Sequence, residues 1–205
     1  MTNSDVGHQG TFHFGESDQL FDVDRKSFTR EESFVFETLI YQPKLRVNND
    51  LGYVAIRRWN QKVKRRQLSA MRAVKKEPSR DFINEVSAEI CRFADSFIGV
   101  ENFDCVVPVP GGTSKNMAFS HRLAAAVGLL AGLPNIQAFQ RISSTATSSH
   151  PINNAVRGRM RLKQVPSGNV LLIDDVVTSG SHLNEATQRL RAHCSGVVAV
   201  AWIGK

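Results

Sequence analysis

An α/β fold with a doubly wound, mainly parallel sheet is what this sequence predicts, and three observations carry the prediction. Short runs dominated by apolar residues, without the alternation of a half-exposed strand, lie at Phe103–Val107, Val170–Ile173 and Val197–Ile203. Strands of that kind are buried on both faces. The segments between them carry helical spacing, and strands alternating with helices give a sheet covered by helices. Finally, 205 residues with 41% hydrophobic and 22% charged side chains suffice for one sizeable core and exclude a disordered or low-complexity chain. No internal repeat is visible.

Taken in order, residues 1 to about 33 are polar, with Phe12, Phe14, Phe21 and Phe28 at no clear period, and read as a loosely structured arm. Leu51 to Lys76 contains no acid but nine basic residues: Arg57, Arg58, Lys62, Lys64, Arg65, Arg66, Arg72, Lys75 and Lys76. This is a basic surface ending in a helix. Pro78-Ser79 starts the next helix, on which Phe82, Val86, Ile90, Phe93 and Phe97 follow at spacings of three or four before Gly99 stops it. After the strand at Phe103–Val107 come a Pro/Gly turn, a helix from about Ser114 to Ala131 closed by Gly132-Leu133-Pro134, and a short strand at Ile136–Phe139. A polar stretch then leads to the strand at Val170–Ile173, a helix to about His193 and the last strand. The division expected is an N-terminal arm and basic hood region over 1–78 and a core over 79–205.

Several classes of function drop out. No uncharged apolar run reaches the roughly 18 residues of a membrane span, and the N-terminus, MTNSDVGHQG, lacks the pattern of a signal peptide. A cytoplasmic protein without membrane contact is expected. Cys91, Cys105 and Cys194 are odd in number and far apart, so they form neither a disulfide framework nor a CxxC zinc site. The six histidines show no metal spacing. The net charge of +7 points to a polyanionic partner or substrate.

The chemistry concentrates in NVLLIDDVVTSGSHLNEATQRL, residues 169–190. A buried strand runs into two adjacent carboxylates, Asp174 and Asp175, then into Val177, Thr178, Ser179, Gly180 and Ser181 at the start of a helix. The glycine permits a tight turn, and the helix N-terminus offers unpaired N–H donors to a phosphate. Carboxylates at the carboxyl end of a strand lie where open α/β sheets bind ligands, and they suit the vicinal hydroxyls of a sugar. The structural alternative is a core strand whose acids merely cap the next helix. A second Gly-rich turn, Val107-Pro108-Val109-Pro110-Gly111-Gly112-Thr113-Ser114-Lys115, follows an earlier strand and offers another anion site. Between Asp104 and Asp174 there is no carboxylate, whereas Lys115, Arg122, Arg141, Arg157, Arg159, Arg161 and Lys163 fall there, as a multiply phosphorylated ligand would require.

The order strand, acid, acid, apolar, apolar, Thr, Ser, Gly resembles the motif with which type I phosphoribosyltransferases bind phosphoribosyl pyrophosphate (PRPP). Under average composition the pattern arises on the order of 10⁻⁸ times per start position. The resemblance covers about residues 80–205 and implies the fold of that family. It also implies that Asp174 and Asp175 hold the ribose hydroxyls and that Val177 to Ser181 wrap the 5′-phosphate. Gly111, Gly112, Thr113, Ser114 and Lys115 would then grip pyrophosphate, from a backbone at Pro110–Thr113 unusual enough to include a non-proline cis peptide. Residues 141–161 fall where the family has a mobile loop over the reaction centre, so Arg157 joins Asp174 and Asp175 as a catalytic residue, and Ser143 to Arg159 should be poorly ordered without substrate. Mg²⁺ is the implied cofactor, held mainly by the substrate, with no protein ligand assigned. Within the family the string VPVP and the form DDVVTSG are similar to ComF-type competence proteins and amidophosphoribosyltransferase-like domains. The cysteine zinc ribbon that ComF-type proteins often carry is missing, and a hood over the base would come from residues 1–80. Two departures matter: Thr178 stands where purine-salvage relatives often have a carboxylate, and His182 where Thr or Ser is usual.

The function expected is transfer of phosphoribosyl from PRPP to a nitrogen acceptor, a base or an amine the sequence does not name. The alternative is a PRPP- or nucleotide-sensing protein on the same fold, associated with nucleic acid through Arg57 to Lys76. That run has few aromatics, Tyr53 and Trp59 only, which argues against base stacking. A homodimer is compatible with either.

Overall fold

In the computed structural model, residues 27–48, 51–111, 118–141 and 160–205 are described. Five strands form the central sheet in the order β1 (Ile40–Asn48), β2 (Leu51–Arg58), β7 (Gly196–Gly204), β6 (Asn169–Val176), β3 (Cys105–Pro108). β2, β7, β6 and β3 run parallel, and β1 is the antiparallel edge. The expected α/β architecture with a mainly parallel sheet is what the chain adopts.

Alternation along β6 sorts the two cores. Leu171 and Ile173 face a layer of α1 (Arg30–Thr38), α2 (Lys64–Lys76), α3 (Arg80–Phe97) and α4 (Phe119–Ala131), together with Ile56, Val200 and Trp202. Val170 and Leu172 face α5 (Ser181–Arg191) and the antiparallel pair β4 (Phe139–Arg141) and β5 (Met160–Leu162). Both faces are dry, which is why β6 and β7 read as continuous apolar runs. At the centre of the helical layer Phe82 meets Phe28, Phe119 and Trp202 with ring centroids 5.4, 6.2 and 5.6 Å apart.

The entry of α3 agrees with its sequence signal. Ser79 Oγ accepts from the Phe82 N–H at 3.1 Å, as an N-cap should. The buried Glu32 closes a capping box with Thr29 on α1, and its second oxygen accepts from the Ser79 N–H at 2.6 Å, so one carboxylate joins the starts of two helices. Gly99, at φ 83°, ends α3 where expected. Phe97, however, is 67% exposed and stacks on Phe93, outside the core to which its spacing assigned it.

Three boundaries differ from expectation. The basic segment is a strand followed by a helix, and with β1 it extends the central sheet: Tyr53 pairs with Ala199 and Arg57 with Ile203 of β7. The chain before α4 is extended at Ala118, so that helix begins at Phe119 and not near Ser114. The strand expected at Ile136–Phe139 is displaced: Asn135 makes a single bridge to Val106, and the strand itself, Phe139–Arg141, pairs with β5 outside the main sheet.

Candidate functional site

β6 outlasts its neighbour β3, whose last residue Pro108 lies opposite Ile173, so Asp174 and Asp175 project at the carboxyl end of the sheet beside β7. Each carboxylate is fixed by the amide that follows it. Asp174 Oδ1 accepts from the Asp175 N–H at 2.8 Å, and Asp175 Oδ1 from the Val176 N–H at 2.6 Å. Neither Oδ2 has a hydrogen-bond partner among the described residues. Two neighbouring acceptors with restrained orientation are thereby presented at the strand end, an arrangement able to receive two hydroxyl donors.

Alternation turns the two acids to opposite faces, with different consequences. Asp175, on the side of the helical layer, forms an ion pair with Lys75 of α2, Nζ to Oδ1 2.9 Å, across 100 positions of sequence. Sequence reasoning placed Lys75 only in a basic surface, and no local signal pairs it with Asp175. Asp174 lies on the α5 side. Burial, and then the charge of Asp175, push its carboxyl up to about 8.

This raised value has a sign opposite to that of an ordinary ion-paired carboxylate. The folded protein holds the Asp174 proton more tightly than the unfolded chain, whose aspartates titrate near about 4. Asp174 therefore costs stability increasingly as pH rises from about 4 to about 8. The melting temperature of Asp174→Asn, relative to wild type, should climb across that window; a difference independent of pH would contradict this environment for Asp174.

After Val176 the chain makes the turn to α5. Val177 is buried, Thr178 and Ser179 are exposed, and Gly180 takes a left-handed conformation at φ 77° as the N-cap, where a side chain would be strained. A glycine N-cap brings no oxygen of its own to the first-turn N–H groups of α5, and no acid lies in that turn. Ser179 Oγ and Ser181 Oγ are 3.0 Å apart, so two hydroxyls flank the helix start. The strand, acid pair, tight turn and helix expected for residues 169–190 are all present in that order.

At the second turn, Gly111 lies against Ala118, whose Cβ a side chain at 111 would strike. The chain thus leaves and returns side by side, and Ser120 Oγ secures the exit by donating to the Val109 carbonyl at 2.8 Å. Gly112, Thr113, Ser114 and Lys115 lie outside the described residues, as do Arg157 and the Ser143–Arg159 segment. No cis peptide occurs among the described residues, which include Pro110 and Gly111. Asp104, before β3, is structural: its Oδ2 accepts from the Asn169 N–H at 2.7 Å.

The basic segment is not the single exposed surface its composition predicts. Arg57 is half-buried and ion-paired with Glu89 at 2.7 Å, Arg66 lies 4.1 Å above the ring of Phe34, and Lys75 holds Asp175. Lys62, Arg65, Arg72 and Lys76 remain exposed.

No group of three or more His, Cys, Asp or Glu side chains among the described residues is placed to hold a metal ion. Asp175 already carries an ammonium, so the pair does not fit the role of a resident divalent-cation site. No helix among the described residues is long and apolar enough to cross a membrane.

No protein-family model matches the sequence, nor does any curated protein sequence. Among solved structures, the chain is similar to UMP synthase from Leishmania donovani, at 16% identity and a TM-score of 0.45, over 85% of this chain and 31% of that one. It is similar to a hypoxanthine phosphoribosyl transferase from Trypanosoma cruzi, at 18% identity and a TM-score of 0.39, over 60% of this chain and 63% of that one. It is also similar to orotate phosphoribosyltransferase from Aeropyrum pernix, at 14% identity and a TM-score of 0.36, over 83% and 80%. The chain thus spans under a third of the UMP synthase, and similarity at this level assigns it no activity.

Proposed function

We propose that this chain binds PRPP, entering as its magnesium complex, and transfers the phosphoribosyl group to a nitrogen acceptor with release of pyrophosphate. The observation that carries the reading is the end of β6, where two amide-anchored carboxylates with uncommitted Oδ2 atoms stand directly before a glycine-capped helix start. The two acids accept hydrogen bonds from the ribose hydroxyls through their Oδ2 atoms, and at the ion-paired Asp175 carboxylate charge assistance makes such a bond about twice as strong as a neutral one. The first-turn N–H groups of α5, with Thr178, Ser179 and Ser181, receive the 5′-phosphate. As the bond from C1 to pyrophosphate breaks, positive charge develops on the ribose ring, whose hydroxyls the amide-anchored pair holds in place. The acceptor nitrogen forms the new bond to C1 and gives up its proton to water. Thr178 cannot take that proton at neutral pH, so the acceptor is one that loses it without help from this position.

A second reading, binding of PRPP or a nucleotide without transfer, is favoured by the same Thr178 and by the cations Lys62, Arg65, Arg72 and Lys76 left exposed on and before α2. Incubation with PRPP, Mg²⁺ and a panel of bases and amines separates the two. The enzyme reading expects pyrophosphate release with at least one acceptor. Binding of PRPP with no release across the panel selects the sensor.

A further inference from the structure

We infer that Lys75 is the resident cation of the acidic pair, placed so that Asp174 and Asp175 receive a sugar diol and do not by themselves hold a divalent metal ion. Two adjacent carboxylates at a strand end are the beginning of a hard-cation site, which needs several oxygens around the ion. In this chain the remaining oxygens are withheld and a cation is built in. The Lys75 ammonium meets Asp175 Oδ1 at 2.9 Å, the same oxygen that accepts the Val176 N–H. The Asp175 side chain is 14% exposed and that of Lys75 35%, so the positive charge acts on the pair at a partly buried contact, less screened than on open surface.

Among the described residues, no third carboxylate is supplied nearby. No acid occurs anywhere from Cys105 to Ile173, and no metal-holding group of three exists among the described residues. Lys75 is also held where it is by its own helix. Ala70, Met71 and Val74 of α2 are buried in the core, and the last turn, with Lys75 and Lys76, carries its cations at the negative end of the helix. Burial and the charge of Asp175 raise the Asp174 carboxyl while Lys75 lowers it, so loss of the lysine leaves excess negative charge at the pair. In this arrangement the magnesium of the reaction arrives on the pyrophosphate of the substrate, and the lysine keeps the carboxylates available to the ribose hydroxyls.

The inference rests on the diol reading of the pair, but its test contains no PRPP, so its failure is distinct from failure of that reading. Mn²⁺, standing in for Mg²⁺, is titrated into the full chain and free Mn²⁺ is followed by its paramagnetic resonance. Wild type, Lys75→Met, Lys75→Gln, Asp175→Asn and the double variant Lys75→Met/Asp175→Asn are compared, with circular dichroism confirming the fold. The Lys75 side chain is 35% exposed, so both single Lys75 variants should fold. The expected result is weak or no binding to wild type, affinity at least about tenfold higher in Lys75→Met and Lys75→Gln, and loss of that gain in the double variant. Absence of the gain, a gain that survives Asp175→Asn, or tight binding to wild type that Asp175→Asn abolishes would each overturn the inference.

Discussion

Glu89→Ala should destabilise the protein by about 3 to 5 kcal/mol, the cost of breaking a buried ion pair from one side. Glu89 of α3 faces the sheet, where it accepts from Arg57 Nε at 2.9 and 2.8 Å through its two oxygens and from Trp202 Nε1 at 2.7 Å. Arg57 in turn donates to the carbonyls of Phe36 and Leu39 at 3.0 and 3.3 Å and lies 4.4 Å above the Phe36 ring. One carboxylate therefore joins α1, β2, α3 and β7. Its removal leaves a half-buried guanidinium without its counter-charge and a fully buried indole N–H without its acceptor. Urea unfolding of the two proteins checks this, and a cost under about 1 kcal/mol would contradict the network. Restoring an apolar interior with Arg57→Leu/Glu89→Leu should recover part of the loss, since replacing both partners leaves no orphaned charge.

The same network explains what the sequence conceals. Arg57 belongs to an acid-free basic run and reads as surface, yet its partner Glu89 is 32 positions away on a helix whose apolar spacing gives no hint of a buried acid. The β1–β2 hairpin was equally hard to foresee. β1, with Pro43, Lys44 and Arg46, is an edge strand with the guarding residues such strands carry, and they erase the apolar signature. β6, β7 and α3 were legible for the opposite reason: two-sided burial makes a strand apolar throughout, and a single buried stripe gives α3 its period. In the site, chain-local features could be read, namely the acid pair, the tight turn and the helix start. Lys75 could not, because the fold brings it to Asp175 and nothing in its neighbourhood marks it. The site assignments at Gly112 to Lys115 and at Arg157 lie outside the described residues.

Asp174→Asn/Asp175→Asn should weaken PRPP binding by at least about tenfold while leaving the fold in place. Asparagine keeps the shape and one acceptor oxygen but loses the charge of the ion-paired Asp175, and a charge-assisted hydrogen bond is worth about 1.5 to 3 kcal/mol. Stability should survive because both acids are only partly buried and neither belongs to the two cores. Removal of Asp174 also relieves the carboxyl that burial disfavours. The loss of the Lys75 ion pair acts in the other direction, at a partly exposed position where such pairs contribute about 1 kcal/mol or less.

Calorimetric titration of PRPP with Mg²⁺ into the wild type and this double variant tests the central claim most directly. The account predicts saturable binding to the folded wild type and at least about tenfold weaker binding to the equally folded variant. Equal affinity in the two proteins, or no binding to the wild type, would contradict it.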